Sequence, residues 1–376
     1  MNIQENVDIK KYSTFNIGGQ FRYFSLLSSV SDVESLCTII KRDRKYKDFP
    51  IFILGGGSNI IFSDGIIDVF ALKMEIKGVE VINETDEHID IKVGAGEIWD
   101  EIVEKTVKMN LCGLEAMSLI PGTVGATPIQ NVGAYGVEAK DVILEVEVFD
   151  VKEGNILTIS NENCKFGYRD SIFKNEAKGK YIITGVTYRL KRIKKQEKTS
   201  PETHLERSSD EGGRGARPSQ DGFRVSFSKT LEYPSVKKYF EDNEIQNPNL
   251  KQVRSAIIDI RNEKLPNYKE IPNVGSFFKN SIISNNIAEK VKDEYPDVRL
   301  FPVDDNFVKI PSGWLIEKAG LKGKSFGKIS VYDKNALILV NNGGARKEDI
   351  INVRNEIIKI VEEKFGITLE QEPEIL

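Results

Sequence analysis

The sequence predicts an α+β protein with more than one core, and three observations predict it. At 376 residues the chain exceeds a typical domain, so two or three cores are expected. Strand-like runs crowd the first half, whereas helical spacing dominates the second. Between them, from about Lys191 to Arg224, the chain turns polar and glycine-rich, as in Ser208-Ser209-Asp210-Glu211-Gly212-Gly213-Arg214-Gly215. Such a composition buries too little apolar surface to order itself, so residues 193–228 read as a flexible polar insert.

The elements follow in order. Ser31-Asp32-Val33-Glu34 has the form of a capping box, and Val33, Leu36, Cys37 and Ile40 share one face of the helix it opens. Phe49–Leu54 is a short apolar strand that runs into Gly55-Gly56-Gly57-Ser58-Asn59. Strands are expected near Val69–Met74, Val79–Ile82 and Ile89–Val93, then a helix from Glu97 to about Asn110 with a broad apolar face. Val142–Phe149 and Tyr181–Leu190 read as further strands. Beyond the insert, helices are expected over Val253–Arg261, around Ile287–Tyr295, and at Leu315–Ala319 before Gly320. Ala336–Val340 is a strand, and Ile350, Val353, Ile357, Val361 and Phe365 line a long helix ended by Gly366.

Composition narrows the function. A hydrophobic content of 40% and a charged content of 29% are those of a soluble globular protein, and a net charge of −4 argues against a nucleic-acid partner. No apolar run approaches the roughly 18 residues that span a bilayer. Met1-Asn2-Ile3-Gln4-Glu5 lacks the basic head and apolar core of a signal peptide, so a cytoplasmic location is expected. Cys37, Cys112 and Cys164 are isolated thiols without disulfide or zinc spacing, which favours a reducing compartment. His88 and His204 are the only histidines, which argues against a histidine base or a histidine metal site.

Two glycine-rich stretches carry the functional signal. In Leu119–Gly136, four glycines and two prolines surround Gln130 and Asn131, a backbone surface shaped to lie against something flat and polar. The Gly55–Asn59 turn admits three readings. A dinucleotide fingerprint would need glycine at position 60, where Ile60 stands, and a phosphate loop would need Gly-Lys-Ser/Thr at its end. A strand-to-strand turn whose N–H groups form an anion nest agrees best with the apolar Ile60-Ile61-Phe62 that follows. Gly167-Tyr168-Arg169-Asp170-Ser171 and Asn273-Val274-Gly275-Ser276-Phe277-Phe278-Lys279-Asn280 add polar groups on either side of the insert.

Taken together, Thr14–Gly19, Leu54–Asn59, Val93–Glu97, Leu119–Gly136, Phe166–Phe173, Asn273–Asn280 and Leu369–Glu374 resemble the UDP-N-acetylenolpyruvoylglucosamine reductase (MurB) family of bacterial peptidoglycan synthesis, in its subclass with a tyrosine loop. The resemblance implies an FAD-binding module of the vanillyl-alcohol-oxidase (PCMH) type over residues 1–192, in two subdomains of about 1–72 and 73–192. An α+β substrate-binding domain over 229–376 would follow, with its tail returning to the active site. FAD is expected to be held non-covalently, because the glycine turn contains neither His nor Cys. NADPH is the implied co-substrate and a UDP-sugar the substrate, acted on by a monomer without a metal.

The same likeness assigns the site. Arg169, Ser276 and Glu374 would be catalytic, with Ser276 as proton donor and Glu372 as the nearby competitor of Glu374. Gly55, Gly56, Gly57, Ser58, Asn59, Pro121, Gly122, Gly125, Ala126, Ile129, Gln130, Asn131, Gly133, Tyr135 and Ile183 would bind the cofactor. Tyr168, Tyr233, Lys264 and Asn280 would hold the substrate. Two other readings compete: a flavin oxidase acting on a sugar or alcohol, and a flavin-binding protein without turnover.

Overall fold

The computed structural model describes residues 2–193 and 229–376. Apart from Ile193, the expected polar insert, and His204 within it, lies outside the described residues.

The first region begins with β1 (Gln4–Asp8), β2 (Gln20–Leu27), β3 (Ile51–Leu54), the two-residue β4 (Ile60–Ile61) and β5 (Ile66–Met74). Four of these form a sheet in the order β1-β2-β5-β3, antiparallel between β1 and β2 and parallel elsewhere. Parallel neighbours need a crossover, and helix α1 (Val30–Arg42) supplies it between β2 and β3. Its N-cap is Ser29, two residues before the serine that the sequence suggested. Ser29 Oγ accepts from the Asp32 N–H while the Asp32 carboxylate accepts from the Ser29 N–H, so Asp32 is the fourth residue of the box and not its second. Val33, Leu36, Cys37 and Ile40 are buried, as their spacing requires.

Next come β6 (Val79–Glu84), β7 (His88–Gly94), α2 (Trp99–Lys108), β8 (Leu111–Cys112), β9 (Gly133–Ala134), β10 (Val137–Glu138), β11 (Ile143–Asp150), β12 (Asn155–Ser160) and β13 (Tyr181–Arg192). The main sheet runs β12-β11-β13-β7-β6, with β8 paired on β13. Trp99, Ile102, Val103 and Val107 turn the buried face of α2 inward, whereas Ile98 and Met109 stay exposed just outside the helix. One core joins both sheets, and Trp99 and Tyr188 are fully buried in it. Each such side chain contributes roughly 1.5–3 kcal/mol of burial.

The second region contains α3 (Pro234–Asp242), α4 (Leu250–Lys264), β14 (Asn273–Ser276), β15 (Ser281–Ser284), α5 (Asn285–Glu294), β16 (Phe301–Pro302), β17 (Phe307–Ile310), α6 (Ser312–Lys318), β18 (Ile329–Val331), β19 (Ile338–Asn341), α7 (Lys347–Phe365) and β20 (Glu374–Ile375). Gly366 ends α7 in the left-handed conformation at φ +66°, as a helix C-terminus favours. Phe15, Ile17 and Ile61 of the first region are packed into this second core. The chain end crosses back: Lys279 N–H donates to the Glu370 carbonyl and Glu372 N–H to the Phe277 carbonyl. Beyond Pro373, β20 then lies parallel to β4, immediately after the glycine turn. Among the described residues, no helix is long and apolar enough to cross a membrane.

Candidate active site

The glycine turn links β3 to β4, which is the strand-to-strand reading of that motif. Each of its glycines faces a contact that a side chain would fill. A Cβ on Gly56 would stand 2.7 Å from the Gly122 Cα, and one on Gly57, at φ +63°, 1.7 Å from the Tyr12 carbonyl oxygen. Among the described residues, the N–H groups of Gly56, Gly57 and Ser58 meet no protein acceptor, which suits an anion nest. Opposite lies Leu119–Gly136, where Leu119, Gly122, Asn131, Tyr135 and Gly136 all take positive φ. That density of left-handed backbone costs stability and persists because neighbouring bonds hold it. Ser58 Oγ donates to the Pro121 carbonyl at 3.1 Å, and Asn59 Nδ2 donates to Gln130 Oε1 at 2.8 Å, so the two stretches are tied together.

Between them opens a cleft of about 520 Å³. Gly55–Asn59, Pro121, Ala126, Ile129, Gln130, Gly133 and Tyr135 line it from the first region; Tyr233, Lys264 and Ser276 line it from the second. The tail adds Glu372 and Glu374. A second cavity of about 450 Å³ shares Gly55, Gly56 and Pro121 with the first, and includes Gly122, Lys11, Lys73 and Lys77. A long ligand with an anionic middle could therefore lie across the glycine turn with an end in each cavity.

Arg169 stands at the polar end. It occupies the left-handed region at φ +54° within the tight turn closed by the Gly167 N–H and the Asp170 carbonyl at 3.0 Å. Its Nη2 donates to the Gly133 carbonyl at 2.8 Å and its Nη1 to the Asn131 carbonyl at 3.4 Å. Its Nε lies 3.3 Å from Glu372 Oε1, yet without a hydrogen-bond partner. The carboxylate beside Arg169 is thus Glu372; Glu374 pairs with Lys178 at 3.2 Å while still lining the cleft. Burial pushes the Glu372 carboxyl above its ordinary range against the pull of Arg169, Lys174 and Lys279. Gln130 Nε2 reaches the same carboxylate at 3.4 Å, so Asn59, Gln130, Glu372 and Arg169 form one chain of polar contacts.

Several expected residues sit elsewhere. Asn131 is fully buried, and its amide is consumed by Glu138, the Gly167 carbonyl and the Lys140 N–H. Its side chain braces the Arg169 turn and is not free for a cofactor. Ile183 is buried in the main sheet opposite Val148 and lines neither cavity, because its strand position directs it into the core. Gly125 lines neither cavity and serves close packing, with Ala95 where its Cβ would be. Tyr168 and Asn280 lie together outside the cleft lining, the Tyr168 hydroxyl accepting the Asn280 N–H at 3.2 Å.

Three cations escaped the sequence reading. Lys174 lines the cleft and donates to the Arg169 carbonyl at 3.4 Å; burial, with help from Lys279, holds its ammonium below the usual range. Lys309 lies 4.5 Å from the centre of the Tyr168 ring. Arg261 is partly buried, burial lowers its affinity for a proton, and its Nε has no hydrogen-bond partner among the described residues. Only Arg261 left a signal, since it precedes Lys264 by three residues on one helical face.

Comparison with known proteins agrees with this geometry. Residues 24–160 match the profile of an FAD binding domain. Residues 266–376 match the profile described as UDP-N-acetylenolpyruvoylglucosamine reductase, C-terminal domain. The chain is 39% identical to the UDP-N-acetylenolpyruvoylglucosamine reductase of Flavobacterium johnsoniae over 376 residues, all of both proteins. It is 37% identical to that of Neisseria gonorrhoeae, over 99% of this chain and 96% of the relative. In fold it is similar to the crystal structure of the Thermus caldophilus enzyme, with a TM-score of 0.63 and 21% identity over 100% and 99% of the two chains. With a full-length relative at 39% identity and both family domains present in order, the chain belongs to the UDP-N-acetylenolpyruvoylglucosamine reductase family.

Proposed function

We propose that this protein is an FAD-dependent oxidoreductase that reduces the enolpyruvyl ether of UDP-N-acetylglucosamine to UDP-N-acetylmuramate, a step of peptidoglycan precursor synthesis. The observation that carries this reading is the convergence, in one cleft, of a glycine nest with the charged cluster of Arg169, Glu372 and Lys174 and the hydroxyl of Ser276. The residues fit FAD: the Cβ-free face of Gly56 and Gly57 and their unspent N–H groups suit its pyrophosphate, with Pro121, Ala126, Ile129, Gln130, Gly133 and Tyr135 along the remainder. When bound, FAD supplies hydride transfer from NADPH to the substrate carbon.

The chain's own residues then have separate tasks. Reduction of an enolpyruvyl double bond builds negative charge toward the substrate carboxylate. Arg169 is permanently cationic, and its Nη groups are already held by two carbonyls, so it can meet that charge without reorganising. Ser276 Oγ delivers the proton to the substrate α-carbon. Glu372 balances the guanidinium, and Glu374, paired with Lys178, supplies a second carboxylate on the cleft. Lys264 and Tyr233 on the cleft, with Tyr168 and Asn280 beyond it, hold the nucleotide sugar, and the compartment is the cytoplasm.

An anaerobic absorbance titration tests the reading. NADPH is expected to bleach the flavin band, and colour should return only on adding the enolpyruvyl UDP-sugar. Recovery with oxygen but not with that sugar would reassign the protein as an oxidase.

A further inference from the structure

Helices α2 and α4 lie on opposite sides of the undescribed segment in sequence, and one carboxylate joins them. Asp100, in the first turn of α2, accepts from Arg254 through both oxygens: Nη1 to Oδ1 at 2.7 Å and Nη2 to Oδ2 at 3.0 Å. The same Oδ1 accepts the N–H of Leu119 at 2.6 Å. The side chains of Arg254 and Asp100 are 11% and 27% exposed. A planar guanidinium on two carboxylate oxygens fixes both separation and angle, which a single contact cannot do.

Both ends of this clamp lead to the cleft. Leu119 takes φ +59°, a costly conformation for a leucine, and from that bend Ile120 and Pro121 enter the cleft wall. On the other side, Arg254 and Arg261 are two turns apart on one face of α4, and Ile260, Arg261 and Lys264 line the cleft. A slide of α4 along its axis would carry all three past the opposite wall. Burial works against the Asp100 charge, but Arg254, the Leu119 N–H and Arg261 outweigh it and hold its carboxyl below the ordinary range.

We propose that Asp100 and Arg254 are positioning residues that lock the height of α4 against the Leu119 bend and thereby set where Lys264 meets the substrate. The proposal rests on the reductase reading, and it acts through Lys264 rather than on reacting atoms. Arg254 carries the test because it lines neither cavity, whereas Asp100 borders the second.

In the full-length, flavin-loaded protein, R254M is expected to raise KM for the enolpyruvyl UDP-sugar about 10-fold, with kcat within about threefold. R254K, which keeps the charge but loses the fork, is expected between R254M and the parent, and it carries the test if R254M fails to fold. Amide hydrogen exchange supplies a readout independent of activity. Arg254 does not bond to Leu119, so faster exchange at Leu119 in the variant, with amides of the main sheet unchanged, reports a loosened Asp100. Unchanged exchange there overturns the proposal whatever KM does, and so does unchanged KM. If the parent protein does not turn over the UDP-sugar, the reductase reading fails, while exchange at Leu119 still decides whether the clamp exists.

Discussion

The two walls of the cleft are made of different material. The Gly55–Asn59 and Leu119–Gly136 wall is backbone, shaped by left-handed residues and by glycines whose missing side chains make room. The facing wall is side chain: Arg169, Lys174, Ser276, Lys264 and Glu372 arrive from four separate stretches of sequence. A backbone wall is rigid and cannot change charge, which suits holding a large cofactor in one place. A side-chain wall can carry protons and charge, which suits chemistry on a substrate that comes and goes. The difference also assigns the expected damage: changes in the first wall should act on stability and flavin content, and changes in the second on turnover.

The largest expected effect falls on the side-chain wall. S276A should lower kcat about 1,000-fold while flavin content and melting stay near the parent; steady-state rates beside an absorbance spectrum decide it, and unchanged turnover removes Ser276 as proton donor. Next comes the backbone wall. G57A places a Cβ 1.7 Å from the Tyr12 carbonyl oxygen at φ +63°, and should cost about 3 kcal/mol of stability and much of the flavin. Chemical denaturation and flavin per chain measure this, and a fully loaded, equally stable G57A would show that this wall yields.

A smaller, pH-dependent effect belongs to Glu372. Because its folded-state pKa is raised, the folded protein keeps that proton longer than the unfolded chain. The stability it contributes is therefore present below the ordinary carboxylate pKa and is lost as pH rises through the raised value. E372Q lacks this titration, so its stability relative to the parent should grow with pH across that window and then level off. Denaturation midpoints at several pH values would show it, and a difference independent of pH would mean that Glu372 is not desolvated. Least affected should be K178A: its partner Glu374 is 38% exposed, and breaking that pair should shift stability by less than about 0.5 kcal/mol.

The same contrast explains what the sequence disclosed. The backbone wall was legible because its close approaches leave no room for a Cβ, and glycine clusters announce themselves. So were the α1, α2 and α7 faces, whose periodicity is a direct image of burial. Strands β1, β2 and β12 went unread, as their alternation is broken by polar residues such as Arg22 and Ser25. The side-chain wall was reached by resemblance alone, and there the sequence could not separate Glu372 from Glu374. Two residues apart on an extended tail they have the same local character, and only the pairing of Glu372 with Phe277 and of β20 with β4 turns one toward Arg169 and the other toward Lys178. Asn131 was ambiguous for a related reason: an amide amid glycines suits a ligand or a turn equally well, and here the Arg169 turn engages its side chain.

The returning tail bears on how the molecule comes into being. Residues 60 and 61 wait for partners more than 300 positions downstream, and the stretch just after Ser276, 277–279, is paired by residues 370–372. Such pairings close late, because distant segments must first lose their freedom to meet. Before that closure the chain can build the glycine wall and its sheets, but Glu372 is not yet beside Arg169 and β20 does not yet seal the turn. Catalytic competence should therefore arrive in one late step, after the cofactor cradle has formed, and the returning tail acts as the pin that joins the two halves.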